Sequence, residues 1–219
     1  KKNRTAQFLF LTLTVKNVSG TDLNKALSDL TKSFDRLIRR AKVKKNLIGF
    51  MRATEVTYNQ SRDDYHPHLH ILLMVKSTYF KGAKNYISQE EWCAMWQQSA
   101  KLSYTPQVDI RKVKSSNNNK KDIKKAVLET AKYPVKPIDS LKLDDHVRVD
   151  VVNNLYNGLY KKRQIAYGGE LKRIFQEMKL DDLENGNLVN VDEDSDSEMT
   201  VNKVVAEWFW DTKNYYRTR

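Results

Sequence analysis

Cysteine is almost absent. Cys93 is the only one in 219 residues, which excludes an internal disulfide framework and a CxxC zinc site and fits a reducing compartment. Long apolar runs are absent too: none approaches the ~18 consecutive apolar residues of a membrane span, so no membrane partner is expected. The first residues carry no signal peptide, and Lys1 stands where a start methionine would be, which suggests a trimmed, cytoplasmic protein. Acidic residues are scarce, 27 against 39 Lys and Arg, for a net charge of +12. They are also unevenly spread. DDLENGNLVNVDEDSDSEMT (181–200) holds eight acids and no Lys or Arg, so the rest of the chain carries +12 plus eight, or +20.

A body this basic points to a polyanion, first of all nucleic acid, because Lys and Arg displace counterions from phosphates. Charge does not distinguish DNA from RNA, and an ordinary basic cytosolic protein would share it. The length suits one domain with an appendage.

FLFLTLTV (8–15) alternates Leu9, Leu11, Leu13 and Val15 with Phe8, Phe10, Thr12 and Thr14, the pattern of a central strand. Thr21 or Asp22 can cap a helix to about Arg40, with Leu23, Leu27, Leu30, Phe34 and Leu37 at helical spacing. LIGFMRATEVTY (47–58) and HLHILLMV (68–75) read as two strands of a hairpin. A helix at about 88–100 stacks Trp92 and Trp96 one turn apart, as core residues. A strand near 107–113, helices near 120–133 and 144–160, a strand at 163–167 and a helix in GELKRIFQEM follow. This order predicts an α+β domain, an antiparallel sheet with helices packed on it. The acidic stretch reads as a disordered linker, and VVAEWFWDTKNYY (204–216) as an ordered tail strand. Trp208, Phe209, Trp210, Tyr215 and Tyr216 there suit a packed edge strand, although aromatics also stack unpaired bases. The expected division is therefore 1–179, a linker at 180–200, and a C-terminal strand at 201–219 packing back on the domain.

Histidine is scarce, four in all, yet three fall in HPHLH (66–70). Side chains alternate faces along a strand, so His68 and His70 share a face, with Leu69, Ile71 and Leu73 on the other. Two imidazoles on one face can share one metal ion. Pro67 cannot donate a ladder hydrogen bond, so the strand is expected to start at or after it, leaving His66 at the hairpin mouth as the weakest of the three candidates. With residues 59–64 as the loop, paired numbers sum to about 123 and Glu55 falls opposite His68, within the ~5 Å of cross-strand neighbours. Two imidazoles and a carboxylate, with positions open for phosphate and water, suit Mn²⁺ or Mg²⁺ and are compatible with Zn²⁺. A lone histidine is more often a satisfied core residue, and short HxH matches occur by chance.

KKAVLETAKYPVK (124–136) places Glu129 and Tyr133 at i and i+4 on one helix face, flanked by Lys125, Lys132 and Lys136. A phenol over that basic surface suits a phosphate. With a pKa of ~10 it needs nearby cations or a metal-activated electrophile to act as a nucleophile. Most tyrosines in ExxxY only pack or meet solvent.

FLTLTVKN (10–17), EVTYN (55–59), HPHLHILL (66–73) and ETAKYPVK (129–136) occur in the order seen in plasmid rolling-circle replication initiators, and the chain resembles the HUH (histidine, hydrophobic, histidine) endonuclease superfamily. The resemblance is to the initiators whose third motif pairs a single tyrosine with a glutamate four residues upstream. It implies a five-stranded antiparallel sheet with the HxH on a central strand, a divalent metal, and a tyrosine that nicks one DNA strand. His68 and His70 would be metal ligands, Tyr133 the nucleophile, and Glu129 the acid of termination. Glu55 as third ligand rests on the register and on the acid common on the adjoining strand in this superfamily. The implied partners are single-stranded or hairpin DNA at a plasmid double-strand origin, with a host helicase and polymerase. Tyr156 and Tyr160 in YNGLYKKR form the YxxxY of two-tyrosine relatives and are the internal rivals to Tyr133, with Gly158 between them weakening the helix. A relaxase or transposase of the same superfamily would use the same chemistry. A noncatalytic nucleic-acid-binding protein with a structural zinc would not cut.

Overall fold

The computed structural model describes residues 6–113, 144–177, 206–209 and 214–217 of the chain, the last two segments by backbone alone. Two compact units are present, Lys1–Arg173 and Ile174–Arg219.

The alternation at the start of the chain produces β1 (Gln7–Thr14), with Leu9, Leu11 and Leu13 at most 2% exposed. The heptad-like spacing that follows produces α1 (Leu23–Arg39), whose Leu23, Leu27, Leu30, Phe34 and Leu37 are buried against the sheet. Asp22 sits at the N-cap position but in a helical conformation, with no side-chain cap bond. Its carboxylate instead accepts from the Ser19 hydroxyl at 2.8 Å, so the expected capping by Thr21 or Asp22 is not made. A short helix, α2 (Ala41–Asn46), buries only Val43 and Asn46.

β2 (Leu47–Asn59) and β3 (Asp64–Val75) form the long hairpin. α3 (Gln89–Ala100) starts at a capping box in which Ser88 and Glu91 bond each other's backbone N–H, and it buries Trp92 and Trp96 as expected. Trp96 donates its Nε1–H to the Thr14 carbonyl at 2.8 Å and ties the helix to the end of β1. β4 (Val108–Lys112), α4 (Asp145–Leu159), β5 (Ile165–Gly168) and α5 (Gly169–Glu177) follow. Gly49 of β2 lies where a side chain would strike the backbone of Gly168 and Leu171, which lets the β5–α5 junction close onto the sheet.

The sheet is five-stranded and antiparallel in the order β4-β1-β3-β2-β5, with helices packed on it, an α+β arrangement. β3 is the middle strand. Leu69, Ile71, Leu73 and Val75 join Leu9, Leu11 and Leu13 in the core under α1, together with Val151 and Leu155 of α4. The even-numbered residues of β1 and β3 face the other way.

β3 begins three residues earlier than Pro67 leads one to expect. Tyr65 exchanges both backbone bonds with Val18 at 2.8 Å, on the β1 side. Pro67, two residues on, turns its nitrogen the same way, into the gap between that bridge and the last β1 pair, Thr14 with His68. No donor is needed there, so the proline is tolerated inside the strand.

In the second unit, the expected tail strand is instead two antiparallel strands, β6 (Ala206–Phe209) and β7 (Asn214–Arg217). Trp210, Asp211, Thr212 and Lys213 separate them in sequence.

Phe34 is 1% exposed and meets Phe50 edge-on at 5.0 Å. Phe34→Ala is expected to cost about 3–5 kcal/mol of stability in urea denaturation, from lost burial and a cavity. A loss below about 1 kcal/mol would contradict this packing.

Candidate metal centre

Three strands each contribute to one patch on the face of the sheet away from α1. β3 supplies His68 and His70. β2 pairs Glu55 directly with His68 and Ala53 with His70, and β1 pairs Thr14 with His68 and Thr12 with His70. The pairing of Glu55 with His68 is the register that the loop length predicts.

The Nε2 atoms of both imidazoles converge on one carboxylate oxygen. His70 Nε2 lies 2.9 Å and His68 Nε2 3.3 Å from Glu55 Oε2. One candidate ligand atom from each of the three residues lies within 4.8 Å of the other two. The side chains are nearly enclosed, 10% exposed for Glu55, 12% for His68 and 15% for His70. Burial opposes charge on Glu55, but hydrogen bonds and charge from His68 and His70 outweigh it and bring the carboxyl down to about 2. The carboxylate is thus ionised at neutral pH.

The far side of each ring is also held. His68 Nδ1 lies 3.1 Å from the His66 carbonyl oxygen, which can only accept, so this nitrogen carries the hydrogen. A neutral His68 then presents the lone pair of Nε2 to an ionised carboxylate oxygen. Two lone pairs at 3.3 Å repel unless a cation, a proton or a metal ion, lies between them. His70 Nδ1 lies 3.4 Å from the Thr12 hydroxyl, which can donate or accept. Outward Nδ1 contacts with Nε2 turned inward are the usual way of orienting imidazole ligands. The donor set of two imidazoles and one carboxylate fits a divalent ion.

His66 shares the face, its ring centroid 5.2 Å from that of His68, but stands outside the converging set. Its Nδ1 is 2.6 Å from Asn17 Oδ1, and Asn17 Nδ2 donates to Asp64 at 2.6 Å. Burial, with the charges of His68 and Arg62, lowers the His66 pKa against the pull of Asp64. Asn17 and Thr12 are contributors that reading the chain one strand at a time misses. Both lie in FLTLTVKN, and long-range pairing turns them toward the histidines, Thr12 through the pairing of β1 with β3 and Asn17 beside the Val18–Tyr65 bridge.

Glu129, Tyr133, Lys125, Lys132 and Lys136 lie outside the described residues. Tyr156 and Tyr160 are 67% and 54% exposed at the end of α4, their ring centroids 6.2 Å apart. α4 buries Val151 and Leu155 in the core under α1, so it lies across the sheet from the metal candidates. Gly158 belongs to this packing: a Cβ there would come within 2.5 Å of Leu23, so the glycine permits α4 to approach α1 closely.

The chain matches the family described as "Replication protein" over residues 1–216 and belongs to that family. It is 56% identical over 217 residues to the "Protein rep" of Streptococcus pneumoniae serotype 2, covering 99% of this chain and 66% of that protein. To a "Replication protein" of Staphylococcus aureus it is 44% identical, covering 99% and 92% respectively. To the "Protein rep" of Lactiplantibacillus plantarum it is 46% identical, covering 96% and 68%. The chain thus spans about two thirds of the pneumococcal relative and nearly all of the staphylococcal one. No solved structure matches it. Among the described residues, no helix is long and apolar enough to cross a membrane.

Calorimetric titration with Mn²⁺ separates the three histidines. His70→Ala should remove measurable binding, whereas His66→Ala should weaken it by roughly tenfold at most. Equal losses in the two variants would contradict the set drawn here.

Proposed function

We propose that this chain is the nicking and joining part of a plasmid rolling-circle replication initiator. The convergence of His68 Nε2, His70 Nε2 and Glu55 Oε2 on the middle strand supports this most strongly, in a chain of the replication protein family. Glu55, His68 and His70 would hold the divalent ion, Mn²⁺ or Mg²⁺, with Zn²⁺ also compatible with the donors. Bound there, such an ion supplies positive charge against the non-bridging oxygens of a phosphodiester.

Tyr133 is the nucleophile in this reading. Its phenolate oxygen attacks phosphorus in line, the bond to the 3′ oxygen breaks, and that oxygen takes up a proton. The products are a 5′-phosphotyrosine link and a free 3′-OH. The hydroxyl primes synthesis by a host polymerase behind a host helicase, and the covalent link conserves the phosphodiester energy for rejoining. Glu129, four residues before Tyr133, acts in termination as general base for a water that cleaves the second time. Lys125, Lys132 and Lys136 bind the phosphates of single-stranded or hairpin DNA at the double-strand origin. Residues 1–179 carry this activity, 180–200 form an acidic linker, and the setting is the cytoplasm.

Tyr133→Phe should abolish the covalent adduct with an origin oligonucleotide and leave binding of that oligonucleotide intact. An undiminished adduct rules Tyr133 out as nucleophile, and binding without cutting by the unaltered protein points to a noncatalytic binder. Chelation with EDTA should stop nicking and added Mn²⁺ should restore it. Glu129→Tyr should favour repeated strand transfer over termination, so unchanged product ratios would remove Glu129 from that step.

A further inference from the structure

We propose that the loop between β3 and α3, residues 76–87, together with Lys112 of β4, is a second DNA contact that stacks unpaired bases on Phe80 and Tyr86. It lies at the opposite end of the sheet from the metal candidates. His70 and Lys76 are six steps apart along the chain, which at the rise of a β-strand is roughly 20 Å. The proposal rests on the reading of DNA as the ligand.

The loop KSTYFKGAKNYI is built, not slack. Tyr79 is 1% exposed, donates its hydroxyl to the Ile87 carbonyl at 3.1 Å and accepts from Trp92 Nε1 at 3.1 Å. Asn85 donates to the carbonyls of Thr78 and Lys81 at 3.3 and 3.2 Å. Buried Asn46 of α2 donates to the Asn85 carbonyl at 2.9 Å, and its own carbonyl accepts from the Lys76 N–H at 3.0 Å. Gly82, at φ +77° with open space around it, makes the turn.

This frame holds two aromatics outward. Phe80 is 40% and Tyr86 46% exposed, with ring centroids 6.2 Å apart. Each also meets the ring of Tyr79, at 4.9 and 5.9 Å, which fixes their positions while leaving area in solvent. Exposing large rings on a pinned loop costs solvation that burial would have avoided, so the arrangement suits a flat ligand.

The surroundings are cationic. Lys76, Lys81 and Lys84 of the loop, Lys44 and Lys45 of α2, and Lys112 are exposed, and none of them makes an ion pair among the described residues. Lys112 Nζ lies 4.9 Å from the Phe80 ring centroid. The adjacent acids are engaged: Glu91 pairs with Lys42 at 2.6 Å and Glu90 is hydrogen-bonded by Ser88 at the start of α3. Exposed rings beside lysines that make no ion pair among the described residues match single-stranded DNA, whose bases offer π faces and whose phosphates run alongside. A duplex would offer only its phosphates.

The test uses the whole chain in EDTA, with a fluorescent oligothymidylate and a blunt duplex as probes in anisotropy titrations. Phe80→Leu with Tyr86→Leu keeps the apolar packing on Tyr79 and removes the flat rings. Affinity for the oligothymidylate should fall roughly tenfold or more, that for the duplex should hold, and the unfolding temperature should not change. Phe80→Trp should retain binding. Lys81→Gln with Lys84→Gln should flatten the salt dependence on both probes. Unchanged oligothymidylate affinity in the leucine variant, or equal losses on both probes, overturns the stacking site. If the unaltered chain nicks an origin oligonucleotide and the leucine variant still binds normally, this site alone fails. If the variant loses single-strand binding while no adduct forms at Tyr133, the stacking site stands and the nicking reading fails.

Discussion

Everything at the candidate site depends on the register of β2 against β3. The side-chain period of a strand is two, so a slip of one residue would turn Glu55 to the α1 side and leave the histidines without a carboxylate. The turn between the strands guards against that slip. Asn59 Oδ1 accepts from the Ser61 hydroxyl and the Arg62 N–H, Asp63 takes a left-handed conformation at φ +48°, and Tyr58 donates to Asp63 at 2.9 Å. Asp tolerates that conformation better than most residues. The last strand pair, Asn59 with Asp64, is thereby fixed, and Glu55 with His68 follows four residues on.

The sheet makes the rest of the division. Odd-numbered residues of β1 and β3 bury leucine, isoleucine and valine under α1, each worth about 1.5–3 kcal/mol, which anchors both strands. Even-numbered residues are then free to carry chemistry: Thr12, His68 and His70, with Glu55 from the neighbour. A middle strand has partners on both sides, so His70 is held from both neighbouring strands, while His68 is held by β2 and by the His66 carbonyl of its own strand. Glu55 from β2 meets their Nε2 atoms, and Thr12 from β1 stands behind His70.

Much of this was legible in the chain itself. Strand alternation and the spacing of leucines in α1 are strong local signals, and a short polar loop between two strands fixes their register to within a residue. Local signals fail where a neighbour in space decides. Pro67 is admissible inside β3 only because β1 stops pairing beside it, and nothing near residue 67 says so. Asp22 looks like a cap, but Ser19 claims its carboxylate. α2 is too short for periodicity to emerge. Asn17 and Thr12 reach the site through pairing between distant segments, His66 lying 49 residues from Asn17 and His70 58 from Thr12. Gly158 looks like a weakness in a helix until Leu23 is seen against it. Glu129 and Tyr133 are proposed from motif order, a signal independent of strand geometry, and lie outside the described residues.

The β2–β3 register brings Glu55, His68 and His70 together as a candidate metal centre. Its most direct test is anomalous scattering from crystals of the whole chain grown with Mn²⁺. A single strong peak bounded by Glu55 Oε2 and the Nε2 atoms of His68 and His70 is expected. A peak elsewhere, with those three side chains bonded only to one another in protein that nicks DNA in the same Mn²⁺ buffer, would contradict it.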